Sequence, residues 1–359
     1  SKVVDTDADV EFVLLRREPK ILQHALNRQV ELDPLTFRSG NDVYFQKNRI
    51  DRYRGSIYGL AVDVGTTTVV FNVVNLETGC VKGTASFENS QRFGGSDIMH
   101  RISYDGSEFC GELHRAIISS LNYEIREICQ REKISRRQIY EVVIVGNSTM
   151  RDLFFNLDVQ SIGQRPYKSR IEHEYLAGER NTTALTERAH RLGIWSHPKA
   201  VVFGAPLIAS HVGADMLADL VAVDIESQRE VVMVVDVGTN TEVVLGRAGK
   251  LMAASCPAGP AFEGGLVTYG MPGVDGAIES LQLSNGRADY STIGGGEPRG
   301  LCGSGLIDLL AELRRGGQMT PKGVFPNKAR ELDIVPEYGI TLSRLDASNL
   351  AQAKAASFC

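Results

Sequence analysis

Two stretches of the chain share one hydrophobic pattern. Gly59-Leu60-Ala61-Val62 is a short apolar run that predicts a buried strand, and Val69 to Val74 predicts a second. Between them lie Asp63, Gly65 and Thr66-Thr67-Thr68, a hairpin turn with one carboxylate, one glycine and a row of hydroxyls. The pattern returns at Val231 to Leu245, VVMVVDVGTNTEVVL, so that VDVGT-x-T occurs twice. One such hairpin is an ordinary structural turn. Two in one chain point to a duplicated domain gripping a polyphosphate from both sides. Backbone N–H groups in each turn can cradle phosphate, and each carboxylate can hold a hydrated magnesium ion.

The remaining pattern is that of an α/β protein. A third strand is expected at Gly79 to Phe87 and a helix start at Ser96-Asp97. From Glu112 to Glu132, Leu113, Ile117, Ile118, Leu121, Ile125 and Ile128 recur on one helical face. Val142 to Val145 is bare and apolar, as a buried parallel strand should be. It runs through Gly146-Asn147-Ser148-Thr149 into a helix from Met150 to Asn156, which places Asn147 to Thr149 at the carboxyl edge of a sheet. Open α/β folds bind ligands there; the plainer alternative is a helix cap. A strand at Val201 to Phe203 leads to a helical run holding Gly213-Ala214-Asp215. After the second hairpin come a strand at Lys250 to Ser255, a glycine-rich loop from Cys256 to Gly276, and a glycine cluster opening a helix at Leu306 to Leu313. Charged, mixed sequence then leads to a helix from Asp346 to Ser357.

Composition narrows the function classes. With 359 residues, 43% hydrophobic content and a net charge of −5, the chain has the composition of an ordinary soluble globular protein and is long enough for two domains, or for one domain plus an appendage. The acidic balance argues against nucleic acid as a partner. No apolar run approaches the roughly 20 residues a membrane span needs, so a cytoplasmic location is expected. The six cysteines are scattered and none forms C-x-x-C, so spacing supports neither a zinc site nor an iron–sulfur cluster. Residues 1–55 differ in character and open without methionine; they are expected to be the remnant of an upstream domain, or a linker.

The order of motifs carries a resemblance. DVGTTT, a strand–GNST–helix connection and DVGTNT resemble the actin, heat-shock chaperone and sugar-kinase (ASKHA) superfamily. That resemblance implies an actin-like ATPase fold of the ribonuclease H type: two duplicated α/β lobes around a nucleotide cleft, with lobes expected at residues 56–229 and 230–359. VVIVGNSTMRDLFFNLD, SIGQRPY, ASCPAGPAFEGG and GLCGSGLIDLL are more specific. Together they resemble the ATP-dependent reductive activators of corrinoid-dependent enzymes, in which ATP hydrolysis drives an inactive cob(II)alamin-type cofactor to cob(I). Family members take electrons from a two-iron two-sulfur cluster in an amino-terminal ferredoxin-like domain. No ligands for that cluster are present here, and the superfamily's late glycine-pair adenosine motif is not found, so the second lobe is expected to be truncated. A lobe cut short would leave an unpaired edge and an uncovered apolar face, making a homodimer one expected assembly.

By this resemblance the cofactors are ATP and Mg2+, with Asp63 and Asp236 as metal-holding and catalytic carboxylates. Gly65, Thr66, Thr67, Thr68, Gly238, Thr239, Asn240 and Thr241 would bind phosphates, with Gly146 and Asn147 reaching them from the connecting turn. Asp215 is the candidate for orienting or deprotonating the attacking water; Glu242 and Glu263 are the alternatives. His100 and His211 are read as ordinary polar residues. The implied partner is a corrinoid protein or corrinoid-dependent methyltransferase, with an electron donor the sequence does not identify. Two other functions share these motifs: a sugar or carboxylate kinase, and a non-catalytic nucleotide-sensing or partner-binding fragment.

Overall fold

The computed structural model describes residues 34–247, 250–284, 287–326 and 329–358. Strands β1 (Thr36–Ser39), β2 (Asp42–Phe45) and β3 (Asn48–Arg52) form an antiparallel meander. Residues 34–55, expected to be a remnant or linker, therefore have a fold of their own. Val43 joins Ile57 and Tyr140 in a small apolar cluster, and the Tyr140 hydroxyl donates to Asp51 at 2.9 Å. The charged sequence concealed this sheet because so few of its side chains are buried. The rest of that expectation, on residues 1–33, lies outside the described residues.

The first lobe is built on a six-stranded sheet in the order β6-β5-β4-β7-β9-β8. Its strands are β4 (Tyr58–Val64), β5 (Thr68–Asn75), β6 (Val81–Glu88), β7 (Ile139–Val145), β8 (Leu185–Arg188) and β9 (Val201–Gly204). The β4–β5 hairpin is antiparallel, whereas β7 pairs with β4 in parallel, as its unbroken apolar run required. Tyr58, Leu60, Val62 and Val64 alternate into the core. There they share one cluster with Leu113, Ile117, Leu121, Ile125 and Ile128, the stripe of the helix Glu112–Arg131. Asp97 caps the preceding helix, Ile98–Asp105, by accepting from the His100 amide at 3.0 Å.

The second hairpin lies in an antiparallel sheet of β10 (Val232–Val237), β11 (Thr241–Arg247) and β12 (Lys250–Cys256). Beyond it, β13 (Ala277–Ser284), β14 (Arg287–Thr292) and β15 (Gly300–Leu301) form a further sheet, and β16 (Glu331–Val335) pairs with β17 (Ile340–Ser343). Leu281, Leu306, Leu309, Leu313, Leu342 and Leu350 unite these strands with the helices Gly303–Arg315 and Arg344–Phe358. Among the described residues no helix is long and apolar enough to cross a membrane.

The two copies of the hairpin have different surroundings. Val232 and Val234 pack against Met216, Leu217 and Leu220 of the helix Ala214–Ala222. The other row of β10 is open. Met233 and Val235 are 63% and 41% exposed, whereas their counterparts Leu60 and Val62 are each 2% exposed. Among the described residues β10 pairs only with β11, while β4 is paired on both edges.

The two strands should therefore differ in tolerance to truncation. Leu60→Ala is expected to cost about 2–5 kcal/mol through a core cavity, and Met233→Ala less than about 0.5 kcal/mol. Denaturant titration of both variants checks this, and equal losses would contradict the asymmetry.

Candidate functional site

Both Asp-Gly-Thr turns open onto one cleft of about 350 Å³. Asp63, Gly65, Thr66 and Thr68 line it from the first lobe, and Asp236, Gly238, Thr239 and Asn240 from the second. Gly65 is required by space, since a Cβ there would lie 2.5 Å from the Thr68 carbonyl oxygen. Thr67 completes the first turn and touches the second. Its hydroxyl oxygen lies 3.0 Å from that of Thr239, and it donates to Glu263 at 2.7 Å. The Thr239 hydroxyl donates to the same Glu263 oxygen, so one carboxylate ties the two hairpins together.

Asn147 fills two roles. Its Oδ1 accepts from the Met150 amide at 3.0 Å and caps the helix Ser148–Phe154. Its Nδ2 donates to the Thr66 hydroxyl at 3.1 Å, joining the connecting turn to the first hairpin. The cap and the ligand-edge readings of this motif are thus compatible. Gly146 is set back from the cleft, its carbonyl accepting from the Ala214 amide at 2.9 Å at the start of the helix Ala214–Ala222. Thr241 is fully buried in β11 and its hydroxyl has no partner among the described residues. These two residues and Thr67, all expected to bind phosphate, are not lining residues, although the Thr67 hydroxyl reaches the lining Thr239 and Glu263.

Asp215 reaches the cleft from the first turn of the helix Ala214–Ala222. Gly213 makes this approach feasible: a Cβ there would lie 2.4 Å from the Asn147 Cα. Glu242 and Glu263 also line the cleft. His100 pairs with Asp97 on the surface and His211 packs beside Tyr167; neither is a lining residue. The sequence reading did not anticipate the contributions of Ser86, Met271-Pro272-Gly273 or Cys302-Gly303. The glycines of that loop and of the helix start were the available signal, but nothing in the pattern tied them to the hairpins.

The carboxylates perturb one another. Burial in the cleft, reinforced by Asp236, pushes the Asp63 carboxyl up to about 7. Burial, then Glu263, raises Asp236. Burial raises Glu242 to about 7, offset in part by the Ser255 hydroxyl, which donates at 2.7 Å. Asp215 lies well above the usual range through burial and the neighbouring Glu242. Such shifts mark carboxyl groups buried and crowded together. Among the described residues no three His, Cys, Asp or Glu side chains converge tightly enough to cage a metal directly.

Two hairpin turns close on one acidic cleft between two lobes. The comparisons make this specific. Residues 58–228 match the model of the RACo middle region, and residues 230–359 match that of the C-terminal domain of RACo, the ASKHA domain. The corrinoid activation enzyme RamQ of Eubacterium limosum is 36% identical over 282 residues, covering 78% of this chain and 45% of that protein. The [Co(II) methylated amine-specific corrinoid protein] reductase of Methanosarcina barkeri is 24% identical over 330 residues, covering 83% of this chain and 57% of that one. A solved reductive activator for a corrinoid, iron–sulfur protein superposes with a TM-score of 0.77 at 33% identity, over 86% of this chain and 51% of that one. The chain therefore belongs to the RACo family of reductive activators, and its fold is the ASKHA fold. It spans about half the length of the curated relatives it matches.

The raised carboxyl groups set a pH dependence. Asp63 and Glu242 bind protons more tightly folded than unfolded. Their stabilising contribution is therefore present at acidic pH and lost as pH rises through about 7. The melting temperature should fall between about pH 5.5 and pH 8, and fall less in Asp63→Asn. Parallel melting curves for parent and variant would contradict the assignment.

Proposed function

We propose that this chain is the ATP-binding and ATP-hydrolysing part of a reductive activator that drives an inactive cob(II)alamin-type corrinoid protein to cob(I). The observation that carries the reading is the convergence of two VDVGT-x-T turns on one acidic cleft, bridged by Thr67, Thr239 and Glu263. Phosphoryl transfer needs positioning and charge neutralisation more than covalent chemistry. The amides of Gly65 to Thr67 and Gly238 to Asn240 would bind the β- and γ-phosphates, with threonine hydroxyls adding donors. The residues present fit a magnesium polyphosphate: Asp63 and Asp236 would hold the ion through water, and their raised pKa values match a missing positive charge.

Asp215 has a narrower role. Its carboxyl lines the cleft from the first turn of the helix Ala214–Ala222, where burial and the neighbouring Glu242 raise its pKa. Its part is to orient the attacking water at the γ-phosphorus, with ADP as the leaving group. Because the transition state is loose, orientation suffices without early proton removal. The electron for the corrinoid comes from a redox donor outside the nucleotide cleft, since phosphoryl transfer itself moves no electron. Nucleotide closes the two lobes, and closure alters the grip on the corrinoid partner; by linkage, that partner shifts nucleotide affinity by the same factor. The cytoplasm is the proposed compartment, and the open β10 edge is consistent with a homodimer.

Calorimetric titration with Mg-ATP tests this reading. Asp63→Ala with Asp236→Ala is expected to abolish binding, whereas Asp215→Asn should bind within about threefold of the parent and lose about a hundredfold or more in turnover. Unchanged binding in the double variant would remove the phosphates from the two turns. ATP turnover indifferent to an added corrinoid protein would refute the activator role.

A further inference from the structure

Behind the first phosphate turn lies a buried cation outside the paired hairpins. Arg101, on the helix Ile98–Asp105, is 1% exposed. Its Nη2 donates to the Thr66 carbonyl at 2.6 Å, its Nε to the Gly95 carbonyl at 3.0 Å, and its Nη1 lies 3.0 Å from the Met150 sulfur. No carboxylate forms an ion pair with it among the described residues. Asn89 is fully buried beside the same turn, and its Nδ2 donates to the Gly65 carbonyl at 2.7 Å. A buried guanidinium without an ionic partner is costly and calls for a reason.

Peptide geometry supplies one. In a trans peptide the C=O and the following N–H point in opposite directions. Asn89, by drawing the Gly65 carbonyl to the rear, turns the Thr66 N–H forward; Arg101 does the same for Thr67 through the Thr66 carbonyl. Thr66 lines the cleft on that side, and the Thr67 hydroxyl reaches the cleft-lining Thr239 and Glu263. The duplicated turn treats the matching carbonyl alike: Thr239 occupies the position of Thr66, and its carbonyl accepts from the Gly259 amide at 2.8 Å. The second turn thus has the same anchor in neutral form, and only the first carries a charge.

We propose that Arg101 is a positioning residue for the polyphosphate, aiming the Thr67 amide and placing a buried positive charge behind the first turn. The inference rests on the cleft reading given above. Asp97 and Glu263 act on Arg101 electrostatically but without an ion pair, and bound phosphates would add counter-charge that further offsets its burial.

The test titrates Mg-ATP and magnesium pyrophosphate into the full 359-residue chain and into Arg101→Met, Arg101→Lys and Asn89→Ala, with thermal melting run in parallel. Arg101→Met should weaken both ligands by about ten- to a hundredfold. Arg101→Lys should recover part of the loss by restoring the charge, and Asn89→Ala should weaken both ligands less than Arg101→Met does. If Arg101→Met does not fold, Arg101→Lys and Asn89→Ala decide, because weakened binding by their folded forms is still required. Folded variants that melt lower but bind within about twofold of the parent would mean a structural role only and overturn the proposal. A parent chain that binds neither ligand would overturn the cleft reading, and this inference with it.

Discussion

Acidic side chains buried together in one cleft are the constraint on which this structure turns. Asp63, Asp215, Asp236 and Glu242 are all held above their ordinary pKa values, and burial is the largest cause for each. A protein bears such a cost where the charge has work to do. The lobes do not simply repel each other, because Thr67 of the first donates to Glu263 of the second, which also accepts from Thr239. Those hydroxyls are also donors a phosphate would use. Entry of a polyphosphate with its cation would therefore release the threonines from Glu263 and supply the missing positive charge together. That coupling gives nucleotide binding a direct mechanical consequence for the two lobes.

Duplication supplies the frame, and divergence fits each copy to its task. Both hairpins present the same carboxylate and the same turn, set by register. Around the first, a parallel strand and amphipathic helices bury every alternate residue of β4. Around the second, the helix Ala214–Ala222 covers one face of β10 and carries Asp215 into the cleft. A single helix thus packs the second sheet and delivers the Asp215 carboxyl to the cleft.

Much of this was legible in the residue pattern. The two hairpins, the GNST connection and the long helix followed from repeats and periodicity, and the structure has each of them. Element ends shifted by a few residues: the helix expected from Met150 begins at Ser148, because Asn147 caps it. Strands β13 to β17 were not anticipated, since their half-exposed, charged sequences lack an unbroken apolar run. Gly146, Thr67 and Thr241 belonged to the same motifs as residues that line the cleft, and motif membership could not tell which of them lie outside the lining. Arg101 and Asn89 were illegible for a different reason. Periodicity identifies a helix and its buried face but not the carbonyl a buried guanidinium will reach across 35 residues of chain. Family membership, by contrast, followed from several motifs read together, and the matched regions agree with it.

The central claim is that one polyphosphate sits between the two turns. A crystal structure of the chain with magnesium and a non-hydrolysable ATP analogue tests it most directly. The account predicts β- and γ-phosphate oxygens within hydrogen-bonding distance of amides in both turns, with Glu263 displaced from Thr67 and Thr239. Phosphates bound to one turn alone, or an analogue seated elsewhere with the Thr67–Glu263–Thr239 bridge intact, would contradict it.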